Sequence, residues 1–173
     1  MKSVKSIQTK SPTSSSACPG LHRSGFPDAP FPPQDIYERL GEQKIAAIIR
    51  RQHDLMWQSE IQSIFGSDEV RFQKTVIYTI HYFIEMLGGP KLFTPQRGEP
   101  KLGRRHRHLQ LTPLHRTVWL GSLRQALQEQ KVPNDIAHAI WQWVEPLSMR
   151  FLTPRIEAID LAREHLIAAK DYD

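Results

Sequence analysis

The sequence predicts an all-α protein, and three observations carry that prediction. From Asp35 onward, apolar residues recur at spacings of three and four residues, the period of helices that bury one face. Gly and Pro residues punctuate these segments where helices would end and begin. No segment shows the alternation of apolar and polar residues that is typical of strands, and no internal repeat or heptad seam appears. The fold class is therefore a single helical domain.

The composition is that of an ordinary soluble globular chain. Its 173 residues, 39% hydrophobic and 24% charged, suit one domain and leave no room for a second catalytic domain. No run approaches the roughly 18 apolar residues of a membrane helix, and the N-terminus lacks the apolar centre of a secretory signal. The single cysteine, Cys18, excludes an internal disulfide framework. We therefore expect a cytoplasmic protein without a membrane partner.

The first 34 residues differ from the rest of the chain. They are rich in Ser and Pro, contain no acidic residue before Asp28, and carry the basic residues Lys2, Lys5, Lys10 and Arg23. Such a segment buries too little apolar surface to offset its ordering entropy, which predicts a disordered extension over residues 1–34. A targeting peptide is the alternative interpretation, although lysines and helix breakers are less typical of one. The folded domain is expected over residues 35–152.

Two helical segments precede the first breaker-rich loop. A short helix over residues 36–40 is expected to end at Gly41, and a longer one follows over residues 42–58. The longer helix places one side inward, namely Ile45, Ile48, Ile49, Gln52, His53 and Met56. After a connecting segment, Ser67 or Asp68 is a candidate cap for the next helix. Its apolar stripe is Val76, Ile80, Phe83 and Leu87, and Gly88-Gly89-Pro90 ends it.

The second half continues the helical pattern. Residues 90–103 contain three prolines and two glycines, which predicts a loop that delivers a short helix or turn bearing His106. Thr112-Pro113 reads as a cap followed by proline at the first helical position, starting a helix to about residue 130. Another helix begins at Pro133-Asn134, and Pro146 is expected to kink or break it. Residues 157–170 predict a last amphipathic helix within a C-terminal extension over residues 153–173.

The most informative motif spans residues 87–120. It combines Gly-Gly-Pro at 88–90, an aromatic at Phe93, Gln-Arg-Gly-x-Pro-x-Leu at 96–102, Arg105-His106 and then Trp119-Leu120. A histidine that follows a Gly/Pro loop and precedes an apolar helix is well placed to ligate a buried metal. Two alternatives stay open for His106. It belongs to a basic cluster over residues 104–108 that is typical of a solvated or phosphate-binding face, and with His108 it forms a weak zinc signal.

In this spaced order the motif resembles the group II truncated haemoglobins, short globins that pack helices two-over-two around haem. The resemblance runs from about residue 37 to residue 151. It implies a truncated two-over-two globin-like helical sandwich that binds haem b (iron protoporphyrin IX). It further implies that His106 is the proximal iron ligand, that Arg105 lies near a haem propionate, and that Trp119 faces the distal pocket from the G helix.

A flat apolar macrocycle needs apolar walls, cations for its propionates and an axial imidazole. The candidate wall residues are Phe65, Val76, Phe93, Leu102, Leu109 and Trp119. Counting back from Gly88 places Thr75 and Thr79 over the iron, whereas His81 would point away from it. The alternative interpretation is that the apolar residues are the core of a helical domain without haem.

The distal side departs from the family pattern. On the B helix the group usually carries Phe-Tyr, whereas this chain has Gln52-His53 followed by Asp54-Leu55-Met56. The phenol that would donate to bound oxygen is therefore missing. His53 has three open roles: a sixth iron ligand, a hydrogen-bond donor or proton relay, or a core histidine satisfied by a backbone carbonyl.

The expected function is haem-based binding of diatomic gas ligands, oxygen or nitric oxide, in ligand binding or redox detoxification. A reductase is a possible partner, and whether the protein is an enzyme stays open. The alternative is a haem-free or haem-sensing helical module that uses the basic cluster for an anionic partner. Nucleic acid is not expected, because no aromatic residues interleave with the basic ones. The oligomeric state is left open.

Overall fold

A computed structural model of the chain describes residues 26–152, and that part is built from six α-helices. They are α1 (Ile36–Trp57), α2 (Glu69–Met86), α3 (Thr94–Arg97), α4 (Leu102–His106), α5 (Pro113–Glu129) and α6 (Asn134–Ser148). Short 3-10 turns occupy Gln62–Phe65, Arg107–Leu109 and Met149–Phe151. Within the described residues no strand forms, and a single isolated bridge joins Leu111 to Leu152. The predicted all-α class is confirmed.

Helix α1 is kinked at Gly41, whose φ of 75° and ψ of 160° are not helical. Glycine adopts this backbone conformation at little cost because it has no Cβ. The predicted break between a short and a long helical segment is therefore confirmed. All six residues expected on the inward side are buried: Ile45, Ile48, Ile49, Gln52, His53 and Met56.

Helix α2 begins at the predicted cap. The Asp68 side chain accepts a hydrogen bond from the Arg71 backbone N–H at 3.0 Å, which satisfies one of the free donors of the first turn. The predicted stripe of Val76, Ile80, Phe83 and Leu87 is buried. The chain then reverses at Gly88, which has a φ of 95° and lies against the Gln34 backbone. A Cβ at Gly88 would lie 1.8 Å from the Gln34 carbonyl oxygen, so only glycine fits.

Helices α5 and α6 also start where the sequence places them. The Thr112 hydroxyl and the His115 side chain form a reciprocal cap at the start of α5, with Pro113 in the first turn. Pro146 lies in the last turn of α6, and the helix ends two residues later at Ser148. There the chain tightens into the Met149–Phe151 turn, as expected where a proline has removed a backbone donor.

The core forms where α1 packs between α2 and α5, and α6 closes it against α5. One buried ion pair joins the last two helices, between the Arg116 guanidinium and the Glu145 carboxylate. Arg116 Nε also donates to the Ser148 hydroxyl at 2.9 Å. Burial lowers the pKa of Arg116 to about 10, so the guanidinium stays charged at neutral pH. The pair sets the angle between α5 and α6 near the Met149–Phe151 turn.

The packed part of the chain begins before the predicted boundary at residue 35. Phe26 is buried against Met149 and Leu152 in a second, small apolar cluster. A single aromatic side chain thus anchors a segment whose composition predicts disorder, because a buried ring contributes a large apolar area. The rest of the predicted tail, residues 1–25, and the predicted helix at 157–170 lie outside the described residues. In the range 26–152 no helix is both long and apolar enough to cross a membrane.

Candidate functional site

His106 lies at the C-terminal end of α4, and two contacts hold its ring. Nδ1 lies 2.8 Å from the Leu102 carbonyl oxygen; since a carbonyl only accepts, Nδ1 is the donor. The ring stacks on Phe151 with a centroid separation of 4.6 Å and an interplanar angle of 18°. Burial lowers the pKa of His106 below its usual value, which favours the neutral ring. Nε2 makes no hydrogen bond to the described residues, so the ring offers an oriented lone pair.

Arg105 organises the loop that delivers α4. Its Nε donates to the Pro100 carbonyl at 2.7 Å, and its Nη2 donates to the carbonyls of Arg97 and Glu99 at 2.5 Å and 3.2 Å. The guanidinium also lies 5.5 Å from the Phe93 ring centroid. These bonds satisfy carbonyls that α3 and the loop leave without helical partners. Nη1 is the guanidinium nitrogen that remains available for a ligand.

Glu85 of α2 clamps the start of α3. Its carboxylate accepts from the backbone N–H groups of Phe93 and Thr94 at 2.9 Å and 2.8 Å, and from the Thr94 hydroxyl. Burial alone would raise the pKa of Glu85, but the hydrogen bonds from Thr94 and Phe93 outweigh it and lower the pKa. The clamp fixes the loop after Gly-Gly-Pro relative to α2, and so fixes the approach of α4.

His53 of α1 is held by the same kind of contact as His106. Its Nδ1 donates to the Ile49 carbonyl at 2.8 Å, and 3% of the residue is exposed. Burial lowers the pKa of His53 to about 4, so the ring is neutral at physiological pH. The ring lies 6.3 Å from Phe65 and 6.1 Å from Phe72. Nε2 has no hydrogen-bond partner in the described part of the chain.

Gln52, the neighbour of His53, is fully buried between α1 and α5. Its Nε2 donates to the Trp119 carbonyl at 3.2 Å, which fixes the orientation of the amide. Its Oε1 is buried and has no hydrogen-bond partner in residues 26–152. A buried acceptor without a hydrogen-bond donor lowers the free energy of unfolding. Gln52 therefore joins α1 to the helix that carries Trp119 and presents a free acceptor there.

The structure brings most of the predicted wall residues to one apolar cluster. Val76 and Phe93 are buried in it, and the half-buried side chains of Phe65, Leu102 and Trp119 pack against it. Leu109 is half-buried but lies outside that cluster.

The two threonines of α2 lie beside this cluster. Thr75 is exposed and Thr79 is half-buried. Their hydroxyls donate to the carbonyls of Arg71 and Thr75, respectively, at 3.1 Å and 2.9 Å. The half-buried His81 contacts Gln96 of α3 at 3.3 Å.

Several residues around the two histidines were missed by the sequence analysis. The rings of Phe72 and Trp57 lie 4.3 Å apart at a tilt of 35° and complete the aromatic surroundings of His53, while Phe151 covers His106. The helical period contains the signal for two of them, since Phe72 precedes Val76 by four residues and Trp57 follows His53 by four. Phe151 has no local signal, because its contact with His106 joins two distant segments.

The basic cluster lines an open depression next to α4. Its walls are Arg97, Lys101, Arg104, Arg105 and His108, and its volume is about 410 Å³. Arg97 connects the depression to α2, because its guanidinium lies 4.4 Å over the ring of Tyr78. Among residues 26–152, no three His, Cys, Asp or Glu side chains converge to hold a metal ion.

Comparisons with known proteins agree with the helical architecture and the motif. The model of the bacterial-like globin family matches residues 35–153. Group 2 truncated hemoglobin YjbI of Bacillus subtilis (strain 168) is 25% identical over 125 residues, which cover 72% of this chain and 92% of that protein.

Solved structures show the same fold. Phosphate-bound Hell's gate globin IV superimposes with a TM-score of 0.71 at 29% identity, over 74% of this chain and 80% of that chain. The group II 2-on-2 hemoglobin of Agrobacterium tumefaciens gives a TM-score of 0.62 at 26% identity, over 68% and 93% of the two chains. The predicted resemblance to group II truncated haemoglobins is thus confirmed: the chain belongs to the bacterial-like globin family and has the two-over-two fold of the truncated haemoglobins.

Proposed function

We propose that this globin binds haem b through His106 and takes diatomic gas ligands, oxygen or nitric oxide, at the iron. The family implies a haem cofactor. The b type agrees with the sequence, whose single cysteine, Cys18, cannot form the C-x-x-C-H motif of covalent attachment. The single observation that carries the proposal is the His106 ring, whose Nδ1 is held by the Leu102 carbonyl while Nε2 makes no hydrogen bond to the described residues.

The donor chemistry of His106 fits an axial iron ligand. A ligating imidazole ordinarily donates its other ring N–H to a backbone carbonyl or carboxylate, which fixes the tautomer and the ring orientation. The Leu102 carbonyl supplies that partner here, and the stacked Phe151 ring restricts rotation. A neutral ring is the form that binds metal, and burial of His106 favours it. The residues present therefore fit the group that the family implies.

We propose that the main apolar cluster supplies the rest of the cradle. Val76, Phe93, Leu102 and Trp119 offer the apolar surface that a macrocycle needs, with Phe65 and Leu109 at its edges. Arg105 would meet a propionate through its remaining Nη1. Thr75 and Thr79 are the small polar residues of α2 proposed to face the bound ligand. When bound, haem supplies an iron atom whose sixth position exchanges ligands.

We further propose His53 as the sixth iron ligand. Its Nδ1 carries the proton given to the Ile49 carbonyl, so the neutral ring has a lone pair and no proton on Nε2. Donation to a bound ligand would need a second ring proton, and burial opposes that charge. The third role, a core histidine satisfied by a carbonyl, accounts for Nδ1 and leaves Nε2 unused. The tautomer thus supports coordination over donation.

The wider proposal places the globin domain at residues 35–152, in a cytoplasmic protein whose iron is kept reduced by a reductase. A cytoplasmic location agrees with the lone cysteine.

A second candidate function, a haem-free module that binds an anionic partner, is favoured by one observation, the depression lined by cations. A purified chain that shows no Soret band after incubation with hemin would favour this second function.

The variant His106→Gly tests the iron ligand. We expect loss of most haem and of the Soret band. The neighbouring His108 has no backbone hydrogen bond within residues 26–152 that would orient its ring to replace His106. His108→Gly is the matched control, since His108 is exposed, two residues away, and should leave the spectrum unchanged. Added imidazole should restore haem binding to His106→Gly, which separates a lost ligand from a lost fold. Full haem retention with an unchanged spectrum in His106→Gly would contradict the assignment.

The variant His53→Leu tests the sixth ligand. With His53 on the iron, the ferric and ferrous proteins should both show low-spin, six-coordinate spectra, and carbon monoxide should bind slowly because His53 must first leave. His53→Leu should give a five-coordinate ferrous spectrum and faster carbon monoxide binding. His81→Leu removes a half-buried histidine of α2 and should change neither measurement. Identical spectra and rates in the parent and His53→Leu would refute coordination.

A further inference from the structure

The net positive charge of this protein comes from one segment. Between residues 87 and 116 the chain has seven Lys and Arg residues against one carboxylate, Glu99, an excess of six positive charges. The whole chain has a net charge of +5, so the remaining residues together carry a net charge of −1. The proposed iron ligand, His106, lies inside this segment.

The exposed cations of the segment are only partly used by the protein. Lys101 pairs with Glu99 at 3.0 Å, and Arg97 lies over Tyr78. The guanidinium groups of Arg104 and Arg107 are exposed and make no hydrogen bond or ion pair with any residue between 26 and 152. These two side chains lie on either side of His106 in sequence, and Arg104 lines the depression. They are available to a partner from outside.

Haem alone would not neutralise this charge. The two propionates of haem b carry two negative charges, whereas four Lys and Arg side chains line the depression and the exposed Arg107 precedes its lining residue His108 in sequence. The rim therefore stays positive with haem in place. A concentrated field of one sign speeds association with an oppositely charged surface and orients it, which is how many transient protein pairs meet.

The surroundings favour a protein over other polyanions. Residues 97–108 contain no Phe, Tyr or Trp, and the nearby Tyr78 ring is covered by Arg97, so this surface lacks the large aromatic rings on which single-strand nucleic-acid binding relies. None of the exposed large apolar side chains of the described chain, Phe31, Val70, Ile77 and Leu114, lies among residues 97–108, so the basic surface itself has no exposed large apolar side chain to insert into a bilayer. The depression is open and edged by flexible cations, which suits a surface of carboxylates.

We propose that the basic surface formed by Arg97, Lys101, Arg104, Arg107 and His108 docks the acidic face of a partner protein beside His106. Docking there brings the partner to the edge of the proposed haem site, so an acidic electron-carrier protein is the partner whose chemistry fits. That identification of the partner rests on the proposed function, whereas the docking itself needs only the cations.

Titration with flavodoxin, an acidic electron-carrier protein, tests the proposal on the full-length, haem-loaded chain. We expect binding that weakens about tenfold or more between about 20 and 200 mM NaCl, because salt screens exposed charges. The double variant Arg104→Gln/Arg107→Gln should weaken binding about fivefold to twentyfold at the lower salt. Arg50→Gln/Lys74→Gln removes two exposed cations from α1 and α2 and should weaken it less than about twofold.

Several outcomes would overturn the docking surface. The first is an absence of flavodoxin binding at low salt, and the second is an equal loss of affinity in the control variant Arg50→Gln/Lys74→Gln. The third is displacement of flavodoxin by inorganic phosphate at constant ionic strength. The fourth is a DNA duplex or anionic vesicles that bind more tightly than flavodoxin and lose that affinity in Arg104→Gln/Arg107→Gln. Circular dichroism checks that both double variants stay folded. The same titration on the haem-free chain keeps the two proposals separate, because a protein without a Soret band can still bind flavodoxin through Arg104 and Arg107.

Discussion

Two histidines in this globin are oriented by the same local device. In each, Nδ1 donates to the carbonyl four residues earlier in the helix, Ile49 for His53 and Leu102 for His106. The carbonyl selects the tautomer and leaves Nε2 with a lone pair, without any carboxylate partner. Burial lowers the pKa of both rings. Helical geometry thus leaves both rings neutral with a lone pair on Nε2, the form that the proposed iron coordination needs.

The buried ring of His53 makes stability depend on pH. Its pKa is about 4 in the folded chain against 6.5 for the ordinary value, so the unfolded chain binds more protons between these limits. Stability therefore falls as pH falls from 6.5 to about 4, by about 3 kcal/mol in all. Urea unfolding of the haem-free chain measures the slope. His53→Leu should flatten it over this range, and parallel curves for parent and variant would contradict the burial effect.

At the scale of elements, the irregular segment between α2 and α4 is held at three places. Gly88 lies against the Gln34 backbone, the Glu85 carboxylate caps α3, and Arg105 binds the carbonyls of residues 97, 99 and 100. The first contact joins the loop to the segment before α1, the second joins it to α2, and the third joins α4 to the loop itself. A segment with little regular structure thus presents His106 in one orientation, which a proposed ligand-binding site requires.

Gly88 and Gly98 separate two costs of replacing glycine in this loop. Both have a positive φ, of 95° and 70°, but a Cβ at Gly88 meets the Gln34 backbone whereas a Cβ at Gly98 meets nothing within 4 Å. Gly98→Ala should lower the free energy of unfolding by about 2 kcal/mol, the cost of a backbone conformation that is almost confined to glycine. Gly88→Ala should lower it by about 3 kcal/mol or more, because two backbone segments must separate. Denaturant titration measures both, and equal losses would show that the Gln34 contact is not rigid.

For the whole molecule, the two ends of the described chain meet beneath the proposed site. Phe26 packs against Met149 and Leu152, and Arg150 Nη2 donates to the Pro27 carbonyl at 3.4 Å. The Met149–Phe151 turn in the middle of this cluster also supplies the ring that stacks on His106. The N-terminal segment therefore supports the proposed iron ligand through one intermediate turn.

Phe26→Ala should lower the free energy of unfolding by about 3 kcal/mol, because a buried aromatic ring is lost and a cavity remains. It should also speed the loss of haem to apomyoglobin, since the turn under His106 loosens. Denaturant titration measures the first effect and the rate of haem transfer measures the second.

Removal of residues 1–25 should leave the Soret spectrum intact, as their Ser- and Pro-rich composition indicates. An absorption spectrum of the truncated, haem-loaded protein measures this. A truncated protein that fails to bind haem would show that the earlier residues are needed as well.

The helices and the burial of their inward faces could be predicted from the sequence because both depend on local signals. The break at Gly41, the cap at Asp68 and the proline at position 113 act within one helical turn, and the spacing of Val76, Ile80 and Phe83 determines which side is buried. The motif around Arg105-His106 predicted the globin family, which the comparisons confirm. The roles of His106 and His53 stay predictions that the experiments above test.

Only the tertiary structure decided which distant groups meet. The Phe151 ring over His106, the Gln52 amide on the Trp119 carbonyl and the burial of Phe26 each join residues more than 40 positions apart. Such contacts follow from how the helices pack and where the chain turns, and no pattern within one element encodes them. The sequence by itself determined the helices, their inward faces and the candidate ligands. The packing decided the aromatic surroundings of both histidines and the carbonyl to which Gln52 donates, since those depend on how the helices pack against one another.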